Sequence, residues 1–235
     1  MLNFQIPSFL CHQAKYDNRF VLSGHRVLGG ILFLILFTSI LFIETCMDAK
    51  LIERVKRYAM GVESQNRYEH SVRTAQMAHR MCCMFGLDPS RGYFTGIAHD
   101  MCKEMTERLL FSLSSRDGQP ISDLEKSKPS LLHGRAAAAM LQSDFGVEDR
   151  DVLDAVRFHT FGMPGMCDLA KILYVADKIE PGRNHITSDY YEYLFAMSLN
   201  EIVVTVVKEN IAYLKKKGKT VSLATRNFLD ELEGK

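Results

Sequence analysis

From Met47 to the C-terminus, apolar residues recur at helical spacing and almost nowhere alternate with polar ones, which commits this stretch to helices. Leu51, Val55, Tyr58 and Ala59 form one stripe, the pattern of an amphipathic first helix. Ser64–Phe85 repeats it with Ala75, Ala78, Cys82 and Phe85, and Gly86 supplies a stop. The pattern predicts a helix over Gly92–Glu107, then a polar loop over Ser114–Lys128 that contains Gly118 and Pro120. Leu131–Phe145 closes on Gly146, and Asp149–Thr160 turns Val152, Ala155 and Val156 inward. Cys167–Ile179 ends at Glu180-Pro181-Gly182, Ser188–Lys217 holds one or two helices, and Thr220–Leu232 the last. The expected fold class is all-α, a helical bundle.

The first 46 residues are of another kind. Val27–Ile43 reads VLGGILFLILFTSILFI, 17 residues without a charge, at the short end of what spans a bilayer. Arg19 and Arg26 precede it, and Lys50, Arg54, Lys56 and Arg57 follow, so flanking charge assigns no orientation. Three readings compete: a membrane anchor, a secretory or lipoprotein leader with IETCMDA as a poor cleavage site, and upstream sequence joined to a gene that starts at Met47. The expected organisation is an extension over 1–46, dispensable for catalysis, and one helical domain over 47–235.

Charge and cysteines exclude some classes. With 29 Lys+Arg against 28 Asp+Glu, the chain lacks the basic footprint of a nucleic-acid binder. Its six cysteines (Cys11, Cys46, Cys82, Cys83, Cys102 and Cys167) form no CxxC pair and read as reduced, buried thiols rather than a disulfide or zinc framework.

Chemistry is concentrated in a few polar residues set on apolar faces. Asp177 lies four residues after Leu173 and seven after Ala170, so its carboxylate falls on a buried stripe. A charge there needs a metal or a counter-ion, and a salt bridge serves as well as a metal. His159 sits on the stripe of Val152, Ala155 and Val156, where a core histidine is the common case. His133 and His70 each begin an apolar helix, and His99-Asp100 lies between them in sequence. His79 is nine residues from His70, on the opposite side of the helix, and reads as surface. His70, His99, Asp100 and Asp177 supply four ligands, enough for one metal. His133 and His159 are then surplus, whereas two metals sharing Asp100 use all six, an arrangement that activates water and neutralises phosphate oxygens. Lys103, predicted to share a helical face with Asp100, and Arg183, after the Pro181-Gly182 break, add cations suited to a polyphosphate; both equally fit ordinary surface charge. Glu180 reads as an acceptor behind a ligand or as a simple helix end.

In order, the blocks RYEHS, GIAHDMCKE, LLHG, AVRFHTFGMPGM and ILYVADKIEPGR cover about Arg67–Arg183. They resemble the HD-domain hydrolases, and within them the YqeK family of symmetrical diadenosine tetraphosphate hydrolases. The resemblance implies an HD-domain helical bundle, a di-iron centre and cleavage of diadenosine tetraphosphate into two ADP. It implies that His70, His99, Asp100 and Asp177 hold one metal and Asp100, His133 and His159 the other. Asp100 and Lys103 would then be catalytic, with Lys103 and Arg183 binding phosphate. A cytoplasmic location follows from that substrate; were Val27–Ile43 an anchor, the domain would face the cytoplasm. The family's usual length corresponds to the stretch from Met47 onward, and many members have proline where this chain has Arg135. Alternatives are a mononuclear HD nucleotidase and a non-catalytic nucleotide-binding module, and the sequence leaves a homodimer open.

Overall fold

The computed structural model describes residues 47–184 and 186–235; the apolar run at 27–43, His12, His25, His185, Cys11 and Cys46 lie outside them. Among the described residues there are helices and no strand. They are α1 (Ala49–Val62), α2 (Gln65–Phe85), α3 (Pro89–Ala98), α4 (Glu107–Ser114), α5 (Asp123–Ser127), α6 (His133–Phe145), α7 (Arg150–Phe158), α8 (Asp168–Ile179), α9 (Ser188–Phe195), α10 (Leu199–Lys216) and α11 (Leu223–Leu232). None is long and apolar enough to cross a membrane.

Local chemistry sets most of the boundaries. Gly86 and Gly146 end α2 and α6 in the left-handed conformation that glycine adopts without a Cβ penalty. Asp88, Asp149 and Ser222 cap α3, α7 and α11 by accepting from backbone N–H groups. Ser198 and Glu201 form a reciprocal capping box that splits Ser188–Lys217 into two helices.

The predicted helix over Gly92–Glu107 is a correction. It begins earlier, at Pro89, and ends at Ala98. The chain then runs through tight turns, with Met101 N–H on Ala98 O and Lys103 N–H on Asp100 O, before α4 starts at Glu107. Thr106 opens α4, a start obscured by the continuous apolar pattern around it. His99, Asp100 and Lys103 therefore share a turn rather than a helical face. Within the predicted loop 114–128, Asp117 ends a 3₁₀ turn and Ser122 starts α5 through a capping box with Glu125.

The core centres on α8, which packs on α2, α3, α7 and α10. Eight of its residues are buried, among them Tyr174, whose ring meets that of Phe228 edge-on. Two pairs of helices cross unusually closely. A Cβ on Gly96 would lie 2.3 Å from Ala75 Cα, so α3 rests directly on the backbone of α2. A Cβ on Gly134 would lie 2.9 Å from Val156 O, so α6 rests on the last turn of α7. Cys82 and Cys102 are buried as expected, but Cys83 is exposed, being next to Cys82 and so on a different face of α2.

Gly96→Ala should destabilise the fold by about 1–3 kcal/mol, because backbone rather than a mobile side-chain tip must give way. The denaturant midpoint of the variant measures this; a midpoint equal to the parent's would show that α2 and α3 are free to separate.

Candidate metal centre

The two close crossings carry four histidines to one place. His70 is on α2 and His99 immediately follows α3; His133 is the first residue of α6, and His159 immediately follows α7. Asp100 comes next to His99, and Asp177 is in the last turn of α8. His70, His99, Asp100, His133 and His159 are buried, while the Asp177 side chain keeps 16% of its surface exposed.

The six side chains form two groups. His70 Nε2 lies 3.2 Å from His99 Nε2 and 3.1 Å from Asp177 Oδ1. Asp100 Oδ2 faces this group, 3.5 Å from His99 Nε2 and 3.8 Å from His70 Nε2. Asp100 Oδ1 faces the other group, 3.0 Å from His133 Nε2 and 3.8 Å from His159 Nε2. His133 and His159 bring their Nε2 atoms to 3.0 Å. One carboxylate thus serves both groups, one oxygen to each.

The ring nitrogens turned away from the centre fix the protons. Nδ1 of His99, His133 and His159 donates to the carbonyls of Gly96, Ser130 and Val156 at 2.6, 2.7 and 2.7 Å. His70 Nδ1 lies 3.2 Å from Glu180 Oε1. Glu180 is fixed in turn by Arg73 Nε at 2.6 Å and by the Gly182 N–H. In the neutral ring each Nε2 is then a lone pair. Lone pairs of imidazoles and carboxylates facing one another at about 3 Å repel unless a cation lies between them. Two ligand atoms about 2.1 Å from one ion, at right angles, are themselves about 3.0 Å apart. The donor set and its spacing fit divalent metal ions in both groups.

Electrostatics keep His99, His159, Asp100 and Asp177 in ligand form, whereas Asp177 and Glu180 raise His70 against its burial. Burial pushes His99 down and holds His159 well below its usual range, with His133 adding to the effect on His159. Burial opposes ionisation of Asp100, yet His99, His133 and Lys103 hold it well below the usual carboxylate range. Asp177 is held well below by Lys178 and His70, again against burial. Glu180 is drawn down to about 2 against its burial, by His70 and Arg73.

Cations ring the donors. Lys103 Nζ lies 3.1 Å from His133 Nε2, and Arg183 Nη2 donates to Asp177 Oδ1 at 2.9 Å. Two more escape a reading by stripes: Arg67 Nη1 reaches Asp100 Oδ2 at 2.8 Å, and Lys178 Nζ reaches Asp177 Oδ2 at 3.2 Å. Both lie within the blocks RYEHS and YVADK, three residues before His70 and one after Asp177. All four cations line an open cleft of about 1250 Å³ with Asp100, His133, His159 and Asp177 at its floor. His79 is exposed on the far side of α2, bonded to Pro89 O.

This arrangement, two histidine groups around a shared His-Asp pair in a helical bundle, is that of an HD-domain hydrolase. The HD domain family matches residues 67–182. The chain belongs to the family of symmetrical bis(5'-nucleosyl)-tetraphosphatases. It is 34% identical to the Bacillus subtilis protein of that name over 169 residues, 71% of this chain and 90% of the relative. It is 30% identical to the Staphylococcus aureus protein of that name, over 76% of this chain and 93% of the relative. Its fold is similar to that of a solved HD superfamily hydrolase from Clostridium acetobutylicum, described as involved in NAD metabolism. The TM-score is 0.71 and the identity 28%, over 77% of this chain and 96% of that one.

Glu63 gives a pH test of the ground beneath the site. It is buried, accepts from Ser71 Oγ at 2.9 Å, and its other oxygen has no hydrogen-bond partner. Burial, with Asp100 nearby, raises it from 4.5 to about 7. A carboxyl that holds its proton more tightly when folded loses stability as pH rises from 4.5 to 7. Glu63→Gln should therefore gain thermal stability over the parent at pH 8.5 and show little difference at pH 4.5; a constant offset in Tm would contradict this.

Proposed function

We propose that this chain hydrolyses diadenosine tetraphosphate symmetrically, adding one water across the central anhydride and releasing two ADP. The observation that carries the reading is Asp100, whose two oxygens face two separate histidine groups on the floor of a cation-lined cleft. Family membership supports the substrate, since the relatives bear the name of that activity. The second group, Asp100 with His133 and His159, counts against a mononuclear nucleotidase.

His70, His99, Asp100 and Asp177 would hold one divalent ion and Asp100, His133 and His159 the other, iron in both by resemblance to the family. When bound, such ions polarise phosphoryl oxygens and lower the pKa of water toward neutrality. The chain's own residues do the rest. The backbone carbonyls on Nδ1 of His99, His133 and His159, and Glu180 on that of His70, keep each imidazole in one tautomer and one orientation. Lys103, at the cleft wall beside Asp100 and His133, places a cation against the reacting phosphate. Arg183 and Arg67, now on Asp177 and Asp100, supply two more charges at the same wall. Burial of the histidines keeps bulk water from their inner faces. We place the reaction in residues 47–235 and in the cytoplasm, where dinucleoside polyphosphates form.

Chromatography of the products of diadenosine tetraphosphate should show ADP alone; ATP together with AMP would mean attack at an outer anhydride and would end this reading. Asp100→Ala should lower turnover by at least about a thousandfold, an amount typical of losing a group that organises the reacting charge, and should reduce bound metal. His79→Ala should alter neither by more than about twofold, as expected of a surface change. Comparable losses in both variants would contradict the assignment.

A further inference from the structure

One wall of the cleft is held in place by an unusual device. Segment 115–128 contributes Leu124, Ser127 and Lys128 to the lining, yet it buries no apolar side chain: Glu125 is its one buried residue. Ile121 packs half-buried against the core, and a surface segment with this little apolar anchoring opens easily unless polar contacts fix it. Here the contacts converge on Arg135, in the first turn of α6. Its Nε and Nη2 grip Asp117 Oδ2 and Oδ1, each at 2.8 Å, a bidentate pair. Its Nη2 also donates to Gln119 O at 2.9 Å, and its Nη1 to Pro120 O at 3.2 Å and Glu125 Oε1 at 3.3 Å. One guanidinium thus ties the 3₁₀ turn, the connecting loop and α5 to the helix that carries His133. The Arg135, Asp117 and Glu125 side chains keep only 11%, 3% and 8% of their surface exposed, so this is no loose surface pair.

The cations of the cleft divide into two kinds. Arg67, Lys103, Lys178 and Arg183 all touch Asp100, Asp177 or His133. Lys128 and Lys219 line the same cleft and, among the described residues, neither ammonium has an ion pair or hydrogen bond; Lys128 is the one carried by the segment that Arg135 fastens. A tetraphosphate bridge carries more negative charge than the donor cluster and its four attendant cations touch directly, and an uncommitted ammonium on the wall suits the part that extends beyond them.

We propose that Arg135 is a positioning residue: by fastening segment 115–128 to α6, it sets Lys128 to hold a phosphate of the substrate half that lies away from the six-donor cluster. This rests on the polyphosphate reading above.

The test compares Arg135→Gln, Lys128→Ala and their double variant with the parent, in metal-loaded full-length protein. Lys126→Ala, an exposed residue of α5 two positions before Lys128, serves as control. Arg135→Gln should raise KM for diadenosine tetraphosphate about 5- to 10-fold, the scale of one charge-assisted contact, with kcat within about twofold of the parent. Metal content should be unchanged, and amide exchange over 117–128 should rise. Lys128→Ala should raise KM equally without faster exchange, and the double variant should add nothing further. Arg135→Lys, which keeps the charge without the fork, should fall between; it also serves as the readable variant should Arg135→Gln not fold. An unchanged KM, a loss of metal or kcat instead, or fully additive effects would overturn the proposal. If the parent fails to cleave diadenosine tetraphosphate, the functional reading falls by itself. Exchange over 117–128, with the affinity of each variant for inorganic tripolyphosphate, then still decides the role of Arg135: equal weakening by the two substitutions upholds it, and no weakening refutes it.

Discussion

Four imidazole lone pairs and two carboxylates face one another around Asp100, at separations between 3.0 and 3.8 Å. An array of this kind is costly to bury without positive charge inside it. Every feature around it lowers that cost or keeps it in place. The Nδ1 protons are spent on backbone carbonyls or Glu180, and Lys103, Arg67, Lys178 and Arg183 approach from the cleft side. The fold offers cations a place that it does not fill with its own core.

The helices deliver these groups by their ends and crossings. His99, His133 and His159 all sit at helix termini, where one residue's shift in register moves a side chain by several ångströms. Close packing at Gly96 and Gly134 removes that freedom, since a backbone resting on a backbone has only one stable seat. The same helix α8 that centres the core ends in Asp177, so core packing and site geometry are one constraint.

Much of this was legible in the sequence because it follows from periodicity. The stripe arguments placed His159 and Asp177 inward and His79 outward, as the structure does. The glycine stops after Phe85 and Phe145 were readable for the same reason. Periodicity failed at His99–Met105, where tight turns continue an apolar pattern without continuing a helix. It could say nothing of Arg67, Lys178 or Arg135, because charged residues on exposed-looking positions carry no periodic signal. Their roles come from groups 33, 1 and 18 residues away in the chain. Glu180 could be read either way from sequence, and its contacts with His70 and Arg73 settle which partners it serves.

The bridging role proposed for Asp100 can be measured directly. Chelator-stripped protein would be titrated with Mn(II) while the paramagnetic spectrum is followed. Two ions bridged by one carboxylate lie about 3.5–4 Å apart, close enough for their spins to couple. The account predicts saturation at two ions per chain, with the signal of isolated Mn(II) replaced by that of an exchange-coupled pair. Saturation at one ion, or two ions that retain independent signals, would contradict it.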